Sequence, residues 1–120
     1  MKTSIEPLID ALSERFDVFV TVKVPEERPS LFVRLDASSP KAVSPVVEET
    51  LIAVQVYGQD LEEVLALIQQ IRFFLLDEIY SHAPDVIWWQ EEAGPHDFPD
   101  PDIQPEHRWQ LTGIISTPLV

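Results

Sequence analysis

The stretch TLIAVQVYGQDLEEVLALIQQIRFFLLDEI, residues 50–79, decides the fold because it holds a strand followed at once by a long helix. Thr50 to Tyr57 is β-branched and apolar on both faces, which is typical of a strand near the middle of a sheet. Gly58 ends this strand, and Asp60 followed by Glu63 is a capping-box type of helix start. Apolar residues then recur at helical spacing: Leu61, Val64, Leu65, Ile68, Ile71, Leu75 and Ile79. A long helix lying on a sheet is therefore predicted.

The segment before this stretch predicts a short helix and two strands. Ser4 can cap a helix that carries Pro7 in its first turn and ends near Phe16. Residues 17–24 then alternate and predict a strand, whose valines are expected on one side: Val18, Val20, Val22 and Val24. Residues 31–35 predict a second strand, and the prolines between the two favour a connection without ladder hydrogen bonds. The two strands are expected to form a hairpin.

The remaining segments predict two more strands and two long loops. Residues 36–47 are rich in serine, proline and alanine, which indicates a loop or arm with little to bury. Residues 86–91 and 108–117 predict strands, and the proline-rich residues 92–106 predict an extended loop between them. The whole chain, residues 1–120, is therefore expected to form one α+β domain. Its antiparallel sheet of four to five strands should pack against two helices.

Size and charge exclude several classes of protein. With 120 residues, 45% of them hydrophobic, the chain is long enough for one core, and without cysteine that core has no disulfide support. Its N-terminus lacks the apolar centre of a signal peptide, and we expect no membrane span and synthesis in cytoplasm. The balance of 21 acidic to 8 basic residues gives a formal net charge of −13. Such a surface repels nucleic-acid phosphates, so ordinary DNA or RNA binding is not expected.

No pattern of reactive residues predicts catalysis. The three glycines are isolated, which excludes a glycine-rich phosphate loop, and the histidines lack paired ligand spacing: His82, His96 and His107. Three aspartates could offer oxygen ligands to calcium, but prolines between them deny the tight turn of an EF-hand: Asp97, Asp100 and Asp102. A solvated acidic loop is favoured there. We expect no enzyme, no cofactor and no metal ion.

The long helix and the fourth strand carry more apolar surface than one sheet needs. Phe74 lies on the shoulder of the apolar stripe, and Phe73 lies almost opposite it. This surplus indicates a subunit contact, with the alternative that both rings cover the sheet edge or lie against the first helix. Trp88 and Trp89 must point to opposite faces of their strand, so one is expected in the core and the other at the surface. Arg72 falls within the apolar stripe and is expected to pair with a carboxylate.

A family resemblance rests on five pieces taken in order: residues 24–35 (VPEERPSLFVRL), 54–58 (VQVYG), 71–72 in the helix that follows, 94–102 (GPHDFPDPD) and 108–111 (RWQL). With this order and spacing the chain resembles the tail terminator proteins of long-tailed bacteriophages, also called tail completion or minor tail proteins, especially those of actinobacterial phages and prophages. The resemblance spans residues 4–117. Ala93 stands where a second glycine is common in the family, and Trp109 where tyrosine is frequent.

The resemblance implies a homo-hexameric ring on the last ring of the tail tube. Such a ring contacts the tail-tube protein, halts its polymerisation, and presents the surface that a head-completion or connector protein joins. The implied location is the virion tail, assembled in the host bacterial cytoplasm, without contact to a membrane. Six copies would sum to about −78 charges (6 × 13), a sign that lets DNA pass through the lumen without specific binding.

Three segments are the candidates for subunit or tube contacts, because each holds apolar or stiffened residues without an evident internal role. Their residues are Val43, Val46 and Val47 in the first loop, Phe73 and Phe74 on the helix, and Phe98 and Ile103 in the proline-rich loop. Two other classes stay open. One is an acidic immunity or anti-nuclease protein whose carboxylates imitate phosphates, and the other is a small-molecule-binding or metal-dependent enzyme.

Overall fold

The computed structural model describes residues 5–102 and 106–119 of the chain. The predicted Ser4 cap and the candidate contact residue Ile103 lie outside these residues. The helical elements are α1 (Ile5–Phe16), α2 (Leu61–Phe73), a π-helical turn (Phe74–Glu78) and α3 (Ile79–His82). The strands are β1 (Phe19–Thr21), β2 (Leu31–Ala37), β3 (Lys41–Ala42), β4 (Val47–Gly58), β5 (Trp88–Asp97) and β6 (His107–Pro118).

The sheet is built around β4, the strand that the sequence places at its centre. Its strand order is β1-β2-β4-β6-β5, and β3 pairs with β4 beyond the end of β2. All pairs are antiparallel except β1 with β2, so the sheet is mixed but mostly antiparallel. The predicted α+β fold is confirmed, with six strands rather than four to five.

The predicted hairpin between residues 17–24 and 31–35 is wrong, because β1 and β2 run parallel. Of residues 17–24, only Phe19–Thr21 form a strand in the sheet. Residues 22–30 return the chain to the end of the sheet where β1 begins, so β2 runs in the same direction as β1. The expected alternation also stops with β1. Val18 and Val20 pack on the helix side of the sheet, whereas Val24 packs against Phe32 and Tyr57 on the other side.

Both segments that were predicted as loops, residues 36–47 and 92–106, contribute strands to the sheet. Within residues 36–47, β2 continues to Ala37 and β3 forms a short hairpin with the start of β4. Within residues 92–106, β5 continues to Asp97 despite Pro95, with register shifts between Glu91 and Ala93 and between Ala93 and His96. Proline is tolerated here because β5 is an edge strand, and the shifts are β-bulges that absorb extra residues.

The helices lie on one face of the sheet. Asp60 caps α2, as predicted from the sequence, by accepting a hydrogen bond of 3.0 Å from the N–H of Glu62, whereas a capping box would use the N–H of Glu63. A single apolar core joins these helices to the strands: Leu8, Leu12, Val33, Leu35, Ile52, Val54, Val56, Ile68, Ile71, Phe74, Leu75, Ile79, Trp89, Leu111 and Ile115. None of the helices in the described ranges is long and apolar enough to cross a bilayer.

The second face of the sheet carries a smaller cluster. Phe32 and Tyr57 are opposite one another in β2 and β4, and their rings stack with centroids 4.7 Å apart. Gln55 and Gln110 form the next rung, joined by a hydrogen bond of 2.7 Å between their side chains. Further along, Leu51 stands opposite Ile114 and is half exposed. This face therefore changes from buried aromatic to exposed aliphatic along the strands.

Candidate functional site

The valines of the predicted arm lie at one end of the strands, in the turn between β3 and β4. Val43 and Val46 are exposed, and 67% of Val46 is accessible to solvent. The Ser44 hydroxyl fixes the turn by accepting hydrogen bonds from the N–H groups of Val46 and Val47. Val47, already within β4, is half-buried. Leu119 joins the exposed valines, since its N–H donates to the Val46 carbonyl at 2.9 Å. Val43, Val46 and Leu119 form what we call the strand-end patch.

The two adjacent phenylalanines of the long helix have opposite environments. Phe73 is 65% exposed, whereas Phe74 is 1% exposed. The Phe74 ring meets Phe16 of α1 edge-to-face with centroids 5.6 Å apart, and it also lies beside His82. Phe74 is therefore a core residue that holds α1 against the helix, as the alternative interpretation of the sequence had it. The prediction that Phe74 is a subunit or tube contact is therefore wrong, whereas Phe73 remains a candidate contact.

Phe73 belongs to a larger exposed patch along edge strand β5. The Trp89 N–H donates to the Tyr80 hydroxyl at 3.1 Å, which ties the end of the helix to the start of β5. Trp89 is 3% exposed and Trp88 56%, so the predicted division between core and surface is confirmed. Exposed large apolar side chains lie on both sides of this edge, and together we call them the β5-edge patch: Phe73, Leu76 and Tyr80 on the helical segments, Ile87 just before β5, and Trp88 on the face of the sheet away from the helices. Sequence reasoning missed Leu76, Tyr80 and Ile87.

A smaller patch lies at the opposite edge of the sheet. Phe19 of β1 and Val22, just beyond it, are both half exposed. Phe19 is the register partner of Phe32, so its ring continues the aromatic row of the second face to the edge. We call these two residues the β1-edge patch. No pattern in the sequence indicated this patch, because alternation alone does not show which side of an edge strand is covered.

Phe98 is held by Arg108 rather than by the core. The Arg108 guanidinium lies over the Phe98 ring, 4.3 Å from its centroid, and donates to the Phe98 and Pro99 carbonyls. It also donates to the Tyr57 hydroxyl at 3.2 Å and pairs with Asp100 at 3.5 Å. The start of the proline-rich loop is thus held to β6 by the Arg108 side chain and by a backbone hydrogen bond of 2.9 Å from the Phe98 N–H to the Arg108 carbonyl. Phe98 itself remains partly exposed.

Replacing Arg108 with glutamine should release this loop without unfolding the domain. The neutral side chain loses the guanidinium fork, and each charge-assisted hydrogen bond is worth about 1.5–3 kcal/mol. We expect amide hydrogen exchange in the peptide covering residues 97–102 to rise at least about tenfold, measured by mass spectrometry. Arg15→Gln, which breaks the distant pair with Glu78, is the matched control and should leave that peptide unchanged. Unchanged exchange in the Arg108 variant would show that the loop is held by other contacts.

Four of the seven lysine and arginine side chains in the described ranges make ion pairs there. Arg72 makes the predicted ion pair, a two-pronged contact with Glu91 at 2.8 and 2.9 Å. Hydrogen bonding to Glu91, together with its charge, raises the pKa of Arg72 above its ordinary value. The other pairs are Arg15 with Glu78, Arg28 with Glu106 and Arg108 with Asp100. The cations of the described ranges that make no ion pair there are Lys23, Arg34 and Lys41.

The described residues offer no arrangement of histidine, aspartate or glutamate side chains that could hold a metal ion. His96 is occupied by a contact of 2.9 Å between its Nδ1 and the Gly94 carbonyl. Of the loop aspartates, Asp100 faces Arg108, and its carboxylate also accepts from the N–H of Asp102. The surface features that stand out are therefore apolar patches and unpaired charges.

No model of a known protein family matches this chain, and no curated protein matches it either.

Proposed function

We propose that this chain is a structural subunit of a bacteriophage tail. In this role it forms a ring on the end of the tail tube, stops tube polymerisation, and offers the surface to which the head is joined. It acts by binding proteins rather than by catalysis. The observation that carries the proposal is the apolar surface left exposed at three separate places on one small domain. Those places are the strand-end, β5-edge and β1-edge patches.

Three separated patches fit a subunit with several neighbours better than a protein with one partner. A single binary complex buries one contiguous surface, whereas a ring subunit that also stacks on a tube needs at least three contacts. Large apolar side chains exposed together are uncommon on a monomeric surface and mark sites of association. The ordered resemblance to tail terminator proteins points to the same kind of assembly.

The charge of the chain supports the same role. A net charge of −13 on each subunit would give a ring lumen that repels DNA and lets it pass without adhesion. The partners in this proposal are further copies of the chain, the tail-tube protein, and a head-completion or connector protein. The virion tail is the proposed location.

The acidic immunity or anti-nuclease alternative predicts carboxylates concentrated on one binding face. In the structure they are spread over α1, the loop after β1, β4, both ends of the long helix and β5. Such scattering does not imitate a phosphate backbone, which presents closely spaced charges along one line. The tail role is therefore the one that we propose.

Electron microscopy of the chain mixed with the tail-tube subunit of the same virus tests this proposal. We expect short tubes of narrow length distribution with a closed cap at one end, whereas the tube subunit alone gives long, uneven tubes. Val46→Asp places a charge in the most exposed apolar position of the strand-end patch and should weaken capping. Glu14→Gln, at an exposed position of α1, is the control that should cap normally. Unrestricted tubes with the unmodified chain would overturn the proposal.

A further inference from the structure

The long helix contains a turn of a different kind where it passes beside β5. From Phe74 to Glu78 it is π-helical, and the Ile79 N–H donates to the Phe74 carbonyl, five residues earlier rather than four. The helix is α-helical before this turn and again after it, where the Ala83 N–H donates to the Ile79 carbonyl at 2.8 Å. A π-helical ring holds one residue more than an α-helical ring, so this turn absorbs one extra residue.

The extra residue decides the direction in which the end of the helix points. In a regular α-helix, two residues eight positions apart differ by about 80° around the axis, at about 100° per residue. With one residue absorbed between them, the difference falls to about 20°. Ile71 and Ile79 are such a pair, and both are 0% exposed in the core. Arg72 and Tyr80 are another such pair, and both reach β5.

Arg72 and Tyr80 hold β5 at two points. Arg72 pairs with Glu91 through two hydrogen bonds, and the Tyr80 hydroxyl accepts from the Trp89 N–H at 3.1 Å. Because β5 is an edge strand, a backbone N–H that is bound to a helix side chain is withheld from any further strand. Without the extra residue, Tyr80 would lie about 80° around the axis from Arg72 and would point away from Trp89.

We infer that the π-helical turn is a register joint that places Tyr80 on the free edge of β5 and closes that edge, at Trp89, to pairing with another strand. The joint lets α2 keep its apolar side chains on the sheet while the last helical turn keeps Ile79 in the core. A partner that binds this edge then contacts side chains rather than extending the sheet. The inference does not depend on the proposed tail role.

Deleting Asp77 tests the joint, because it removes one exposed residue from the turn and leaves a regular α-helix over the same path. Ile79 and Tyr80 then keep their directions, since the helix loses the residue that the turn had absorbed. We expect the deletion variant to fold with a melting temperature within about 5 °C of the parent chain. Amide hydrogen exchange at Trp89, measured by NMR, should stay within about threefold of the parent.

Deleting Gln70 is the matched control, because Gln70 is also exposed but lies in the regular part of α2. This deletion rotates Ile71 and Leu75 by about 100° relative to Val64, which takes buried side chains out of the core. We expect a melting temperature lower by at least about 15 °C, or loss of folding. A Gln70 deletion as well tolerated as the Asp77 deletion would overturn the inference, since any position of the helix would then accept a deletion.

Tyr80→Phe tests the contact with β5. It removes the hydroxyl and keeps the ring, so the Trp89 N–H loses its acceptor. We expect amide exchange at Trp89 to become at least about tenfold faster than in the parent chain. Tyr57→Phe is the matched control, because it removes the other tyrosine hydroxyl of the chain, which accepts from Arg108. Exchange at Trp89 should not change in that variant.

Exchange at Trp89 separates a register joint from a helix end that merely slips. If the Asp77 deletion raised this exchange as much as Tyr80→Phe does, the helix end would have slipped, and the inference would be wrong. Failure of the Asp77 deletion variant to fold would overturn it as well. Unchanged exchange in Tyr80→Phe would overturn the closing of the β5 edge by Tyr80.

Discussion

Phe74→Ala is expected to lower the free energy of unfolding by about 4 kcal/mol, because removal of a buried aromatic ring loses its burial and leaves a cavity. Phe74 is 1% exposed and packs edge-to-face on Phe16. Because core residues surround the ring, its removal leaves a space that the neighbouring side chains do not fill. Urea denaturation followed by circular dichroism measures the change. Phe73→Ala is the matched control, one residue earlier in the same helix. Its ring is 65% exposed, and its loss should cost less than about 0.5 kcal/mol.

The same pair of variants separates stability from assembly. Phe73→Ala should fold as the parent chain does but weaken tube capping, because its exposed ring is a candidate contact with another subunit or with the tube. Aromatic residues at the centre of interfaces often account for 2 kcal/mol or more of binding, which corresponds to about thirtyfold in affinity. Equal destabilisation by the two substitutions would mean that α1 does not pack on Phe74. Normal capping by Phe73→Ala would remove Phe73 from the candidate contacts.

The central strand and the long helix were predictable because their patterns are local and long. Residues 50–57 are apolar on both faces, which is typical of a strand near the middle of a sheet. The helix was marked by its cap at Asp60 and by apolar residues at helical spacing. Its π-helical turn at Phe74–Glu78 was not predicted. Because Phe73 precedes this turn, the regular 100° step still placed it correctly opposite the apolar stripe, where it is exposed.

The edges of the sheet were not predictable in the same way. Residues 17–24 indicate a strand, but its parallel pairing with β2 depends on the path of residues 22–30 and on packing against α1. Residues 92–97 contain Gly94 and Pro95, which normally indicate a loop. They join the sheet because an edge strand needs hydrogen bonds on one side only and because two bulges absorb the misfit. Tertiary contacts therefore override local preference at both edges.

The candidate contact surface was predictable only in part, for the same reason. Adjacent Trp88 and Trp89 had to face opposite sides, yet the sequence does not say which side the helices cover. Exposed Leu76, Ile87 and Phe19 have the same apolar character as their buried neighbours, so no local pattern distinguishes them. The unpaired state of Arg34 is visible only when the strands around it are in place.

Gly113→Ala is expected to destabilise the chain by about 3 kcal/mol, because it adds a methyl group where a fully packed ring already lies. Gly113 of β6 faces the helix side of the sheet opposite Ile52 and Glu91. A β-carbon there would lie 2.6 Å from Cη2 of Trp89 and 2.7 Å from the Gln90 carbonyl oxygen. The indole is 3% exposed within the core, and the carbonyl belongs to the paired backbone of β5, so neither can move freely. Urea unfolding monitored by tryptophan fluorescence measures the loss.

Gly94→Ala is the matched control for this substitution. Its β-carbon would lie 3.2 Å from the Arg72 guanidinium, which is the far end of a flexible and partly exposed side chain. The expected cost there is below about 1 kcal/mol. Trp89→Leu combined with Gly113→Ala should be less destabilised than the sum of the two single changes, since leucine leaves room for the added methyl group. Additive losses would mean that the Gln90 carbonyl oxygen, rather than the Trp89 indole, sets the cost of the added methyl group.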